Sequence, residues 1–267
     1  MGEIFEQAPE AINELVSEFY SMPVVGELAS VLCVSQYTFW LFISCIVLVV
    51  LMLVYVKKMQ LVPHGVFQNG VEYVIDYISN DVLKNILGES WKKHFPFLMT
   101  IFFFVLVNNI VGIIPGMKPG TGTISVTAVI AIAVFVYFIA MGVHAKGVGG
   151  YIKSFAPAGV MFPLNLLVGA IEVISTILRP ITLAIRLFCN MFAGHVVLGS
   201  FAILVSLFAE PLIEQVSLAN AVGLLPSAVF FVILLIIYAI EMFVAYIQAY
   251  VFTMLSAVYI SGAEEEE

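Results

Sequence analysis

Between Met161 and Phe208 the chain is almost wholly apolar, yet this run carries Glu172, Arg179 and Arg186, with Asn190 and His195 close behind. An arginine at the centre of a membrane helix costs at least ~2.5–3.5 kcal/mol on insertion scales. Two arginines and a glutamate in one apolar run are therefore hard to explain as lipid-facing residues. At 100° per residue, Glu172, Arg179, Arg186 and Asn190 return to nearly the same face, and Ser175 and Thr182 fall on that stripe as well. Such a stripe should face protein or water. The Arg186 guanidinium stays protonated at any relevant pH, so it holds a fixed positive charge and cannot relay a proton. The residues alone leave two readings of that charge equal: a functional group, or a structural ion pair with Glu172 or Glu241.

A second set lies in the last apolar run. Glu241 and Gln248 are seven residues apart, on one face of a helix. Glu241 is a lone acid deep among apolar residues, which marks a functional site by default, and His195 is its natural partner. A lone histidine also reads as a satisfied core residue. Gln248 both donates and accepts, which suits a contact between helices. Asn108 and Asn109 sit in an earlier apolar run. Either they bond a neighbouring helix, or Asn109 lines a water path from outside.

Hydrophobic residues make up 62% of the 267, with a mean hydropathy of +1.11. A soluble domain is nearer half apolar, so the expected class is an all-α integral membrane protein. About five membrane helices, plus one amphipathic helix at the surface, account for the apolar pattern. The spans are Thr38–Val56, Phe95–Ile114, Ile124–Val143, the stripe-bearing run and Ser227–Ile260, with the amphipathic stretch between Gln60 and Lys93. The stripe-bearing run of about 48 residues would reach ~70 Å as a helix, against a hydrocarbon core of ~30 Å. It must bend, break or tilt steeply, with Pro180 and Gly194 as the favoured bends; the last helix is also long enough to tilt.

Residues 1–36 carry Glu3, Glu6, Glu10, Glu14 and Glu18 at helical steps and neither lysine nor arginine. They read as an acidic extracytoplasmic segment with a solvated helix face, followed by one membrane domain over 37–261 and an acidic cytoplasmic tail over 262–267. Seven of the ten basic residues then fall in cytoplasmic segments, which agrees with the positive-inside rule. The loops 118–122 and 209–226 lie outside, and 144–163 lies inside. The net charge of −8 offers no basic face to nucleic acid. Cys33, Cys45 and Cys189 show no metal-ligand spacing, and no cofactor is expected.

The segment Ile181–Val197, ITLAIRLFCNMFAGHVV, resembles the signature of subunit a of the F-type ATP synthase. The matching core is Arg-Leu-Phe-x-Asn-Met-aromatic-Ala-Gly, here Arg186 to Gly194. A second family element, a glutamine late in the last helix, stands at Gln248. The resemblance implies a static proton-path subunit beside a rotating c-ring in a bacterial inner membrane. Its N-terminus would lie outside, its C-terminus inside, with c-ring subunits, peripheral-stalk b subunits and lipids as partners. It further implies that Arg186 is the essential charge facing each passing c-subunit carboxylate, keeping it deprotonated and blocking a leak between two half-channels. Gln248 would hold Arg186. The inner half-channel would pass Glu172 and Ser175, and the outer one would hold Asn190, His195 and Glu241, a histidine–acid pair that several family members carry in either order. Arg179 would reach to the interface or act directly. Two departures stand out: Gly112 occupies a place where some bacterial relatives have an acid, and Cys189 one that is commonly glycine.

No Gly-x-x-x-x-Gly-Lys-Ser/Thr loop is present, so the chain is expected to have no nucleotide site and not to be catalytic alone. The competing class is an ion-coupled secondary transporter using Arg186 and Glu241, but such folds usually show repeated halves, and none is visible. A passive scaffold does not account for a stripe of full charges.

Overall fold

In lipid each backbone N–H must find its acceptor within its own segment, so long apolar runs become helices. The computed structural model describes residues 23–25, 34–57, 65–155, 164–214 and 224–264. Five of its helices are long and apolar enough to cross a membrane. The protein is a multi-pass, all-α membrane protein. Among the described residues the only extended pieces are β1 (Pro23–Val25) and β2 (Val34–Ser35), a short antiparallel pair. The acidic face from Glu3 to Glu18 lies outside the described residues.

Helix α1 spans Gln36–Lys57. Ser35 caps its start: its Oγ accepts the Thr38 N–H at 3.3 Å. Beyond it, α2 (Val66–Asp76) runs through a π-helical turn (Tyr77–Leu83) into α3 (Lys84–Leu87). This stretch buries Ile78, Val82, Leu83 and Leu87 while exposing Asp76, Asp81, Lys84 and Asn85, the two-sided character read from its sequence. A turn at Gly88 then opens α4 (Trp91–Ile113).

Helix α5 covers Ile124–Ser154, longer than the expected Ile124–Val143. It does so as two helical pieces: Gly147, with a φ of 72° and a ψ of 161°, is non-helical and separates a first piece that ends close to the expected Val143 from a second that runs on to Ser154. A side chain is strained in that conformation, whereas glycine adopts it freely. Helix α6 runs from Leu164 to Glu214 and α7 from Leu224 to Glu264. At 1.5 Å per residue they are ~76 Å and ~60 Å long, far beyond one upright crossing, so both must tilt steeply. The helix continues through Pro180 and Gly194, at the local cost of one backbone hydrogen bond at the proline.

Helix α7 packs against α6, α4 and α5. Their shared core holds Leu98, Phe102, Val134, Phe138, Leu183, Leu187, Phe252 and Ile260, all nearly inaccessible. A polar clasp closes one end. Glu264 accepts from Lys93 Nζ and His94 Nε2, both at 3.1 Å, and His94 Nδ1 lies 3.0 Å from the Tyr137 hydroxyl. The last turn of α7 is thereby tied to α4 and α5.

Candidate ion path

Helix α6 turns Leu183, Leu187, Met191 and Leu198 into the core. Arg186 lies on its open side, exposed among exposed Ile181, Thr182, Ile185 and Cys189. Among the described residues no ion pair or hydrogen bond engages it. A structural pair with Glu172 is absent: that residue stands ~21 Å away along the helix, and its Oε1 is held by Arg179 Nη2 at 2.9 Å. No salt bridge joins Arg186 to Glu241 among the described residues. Cys189, on the same open side, meets no close neighbour helix, so a side chain in place of glycine is harmless within this chain.

Two cavities lie toward opposite ends of α6. One, about 620 Å³, is lined by His195, Leu198, Gly199 and Ala202 of α6, Tyr238 of α7, the start of α1 and the 112–119 turn, including Lys118. The other, about 300 Å³, is lined by Glu172, Thr176 and Arg179 of α6, Lys146, Tyr151 and Ser154 of α5, and Gly262 and Ala263 of α7. Along the helix Arg186 stands between them, ~21 Å from Glu172 and ~14 Å from His195.

The His195–Glu241 pairing has a geometric basis at Gly194. A Cβ placed there would lie 2.5 Å from Cδ and from both carboxylate oxygens of Glu241. The Glu241 carboxylate therefore rests directly on the α6 backbone, one residue before His195. The carboxylate takes this place because position 194 has no side chain.

Gln248 is 7% exposed, and its Nε2 has no hydrogen-bond partner; Asn190 Nδ2 is likewise buried without one. Each amide needs an acceptor that the described residues do not supply. No hydrogen bond joins Gln248 to Arg186. Asn109 is fully buried: its Oδ1 accepts from the Thr121 hydroxyl at 2.9 Å and its Nδ2 reaches the Ala245 carbonyl at 3.5 Å. It follows the helix-bonding reading and is not part of the cavity wall. Ser175 is half-buried and off the second cavity; its neighbour Thr176, 5% exposed, lines that cavity instead. The sequence did hold a signal for Thr176, since Pro180 has no N–H for the Thr176 carbonyl and so leaves a polar acceptor there.

Gly112 also finds its reason. The Pro119 ring occupies the space where its Cβ would point. An acid at this position would displace the 112–119 turn that walls the larger cavity.

Comparison with known proteins bears on the family of the chain. The family model described as ATP synthase A chain matches residues 38–261, a span that takes in the whole of α6 and all but the end of α7. ATP synthase subunit a of Gluconobacter oxydans is 35% identical over 250 residues, covering 94% of this chain and 96% of that protein. ATP synthase subunit a of Frankia alni is 37% identical over 211 residues, or 78% of this chain and 69% of that protein. ATP synthase subunit a 2 of Chlorobaculum tepidum is 40% identical over 210 residues, 78% of this chain; the chain spans only 56% of that longer relative. With both the arginine-bearing and the glutamine-bearing helices inside the matched region, the chain belongs to the ATP synthase subunit a family.

Proposed function

We propose that this protein is the static ion-path subunit of the membrane sector of a rotary ATP synthase. The observation that carries the reading is Arg186: a fixed charge exposed on an apolar helix face, unpaired among the described residues, with a cavity toward either end of the same helix. A charge so placed needs a partner from another molecule. A carboxylate on each subunit of a c-ring meets that need and is drawn into its ionised form as it passes.

The larger cavity is the outer half-channel, with His195 and Glu241 as its proton-handling pair and Asn190 beyond. The smaller is the inner half-channel, with Glu172, Ser175 and Thr176. Gln248 steadies the ground next to Arg186, and Asn109 holds α4 to α7 behind the path. The N-terminus lies outside and the C-terminus in the cytoplasm of a bacterial inner membrane, with b subunits of a peripheral stalk and lipids as further neighbours. A membrane potential of 100 mV is worth ~2.3 kcal/mol per elementary charge. Water in both cavities concentrates that drop near Arg186, where it can bias rotation. The chain contributes no nucleotide chemistry.

Purification from native membranes tests the assignment: a ring of small hairpin subunits should accompany the chain, and Arg186→Ala should abolish ATP-driven proton pumping in inverted vesicles. Ion transport by the chain reconstituted alone would favour the secondary-transporter class instead.

A further inference from the structure

Glu172 and Arg179 are two helical turns apart on one face, ~10 Å along the axis. Their side chains reach toward each other and meet at 2.9 Å. The arginine is not extended freely toward an interface. Its guanidinium carbon lies 5.3 Å from the ring centroid of Tyr259 on α7. A guanidinium has a flat face for a ring and an edge of N–H donors for a carboxylate, and both are used here. The arginine side chain is 26% exposed and the glutamate side chain 45% exposed, so the carboxylate is the more open member of the pair. Both line the smaller cavity, with Lys146 and Tyr151 of α5 also in its wall.

This arrangement exceeds what helix–helix adhesion needs. Stacking alone would tie α6 to α7, and the hydrogen bond to Glu172 adds nothing to that tie. It does fix where the carboxylate stands in the cavity. We propose that Arg179 is a positioning residue for the ion path: seated on Tyr259, it holds the Glu172 carboxylate at the wall of the inner cavity. The proposal rests on reading that cavity as the inner half-channel. Arg179 touches no transported ion and acts through Glu172.

The test uses the assembled complex in inverted vesicles, with ATP-driven proton pumping normalised to c-subunit content. The variants are Glu172→Gln, Arg179→Gln, Arg179→Lys, Tyr259→Phe, Tyr259→Leu and the double change at 172 and 179. Arg179→Gln should lower pumping about fivefold when Glu172 is present and leave it nearly unchanged when position 172 is already glutamine, a coupling usual for contacting residues. Arg179→Lys, which keeps the charge but not the flat fork, should recover part of the loss. Tyr259→Phe should match the native complex, and Tyr259→Leu should approach Arg179→Gln. Equal factors for Arg179→Gln in both backgrounds would overturn the proposal and leave the inner half-channel standing. Full pumping by Glu172→Gln would overturn both. If Arg179→Gln fails to assemble, Arg179→Lys and Tyr259→Leu, each measured with and without Glu172→Gln, decide by the same criterion.

Discussion

Gly194→Ala isolates the contact between the two long helices. The new Cβ would stand 2.5 Å from the Glu241 carboxylate atoms. Ordinary non-bonded separation is ~3.5 Å, so the carboxylate must retreat by about 1 Å. It is the far end of a flexible side chain, so the strain should fall below the ~1–3 kcal/mol of core overpacking. Replacing a mid-helix glycine by alanine returns ~0.5–1 kcal/mol, and assembly should survive. Proton transfer is less tolerant: a misplacement of ~1 Å can cost ~100-fold in rate, and passive flux through the membrane sector should fall at least about tenfold. Flux is read as the decay of an imposed potential in vesicles, normalised to complex content. Glu241→Asp, one methylene shorter, should recover part of the flux in the Gly194→Ala background. Gly70→Ala is the control, because a Cβ there meets nothing within 4 Å. Normal flux with Gly194→Ala would refute the idea that Glu241 works from its place on the α6 backbone. Loss of the complex would refute the claim that the contact is compliant.

Arg186→Lys should not restore coupled pumping, because lysine is a compact, strongly hydrated point charge whose protonation is less secure on burial; near-normal pumping in inverted vesicles would count against the assigned role. Alanine at His195 and at Glu241 should have non-additive effects on passive flux, and strict additivity of the logarithms would separate the two residues. Single cysteines along residues 172–190, in a background lacking the native three, should crosslink to c-subunit cysteines or react with aqueous thiol reagents when they lie on the Glu172–Asn190 stripe. A reactivity profile without helical period, or one peaking opposite Arg186, would sink the stripe.

Spans were legible because lipid leaves the backbone few options; the polar residues of α6 were legible as costly charges, but not that Arg179 turns to Tyr259 of α7 while Arg186 stands on the open side. Arg186 stood out as a costly charge, but its surroundings alone left its role open between a functional group and a structural ion pair. The pairing of Glu172 with Arg179 was not legible: the sequence offers Glu172 as a partner of Arg186, and seven residues of one helix is a long reach for two side chains. Arg179 carried no sign of Tyr259, which lies eighty residues later on another helix. The end of the third span near Val143 was legible to within a few residues, but the second helical piece that follows the break at Gly147 was not. Gly112 looked like a missing acid, yet it is a packing requirement set by Pro119, a contact no linear pattern announces. The choice between Ser175 and Thr176 turned on 100° of helix rotation, finer than a periodicity argument resolves.

That α6 is one continuous rod from Leu164 to Glu214 makes it a ruler as well as a wall. Both cavities and the arginine are indexed to the same helical screw. One inserted residue between Arg186 and Gly194 would turn everything downstream by about 100° and advance it ~1.5 Å, carrying Gly194 from beneath the Glu241 carboxylate while leaving Arg186 in place. Seven inserted residues would nearly restore the angle but add ~10 Å to the separation of the two water accesses. Under the proposed function, that separation would have to match an angular step of the partner ring. The length of chain between Glu172 and His195 would then be a timing constant, free to drift in evolution only together with that ring.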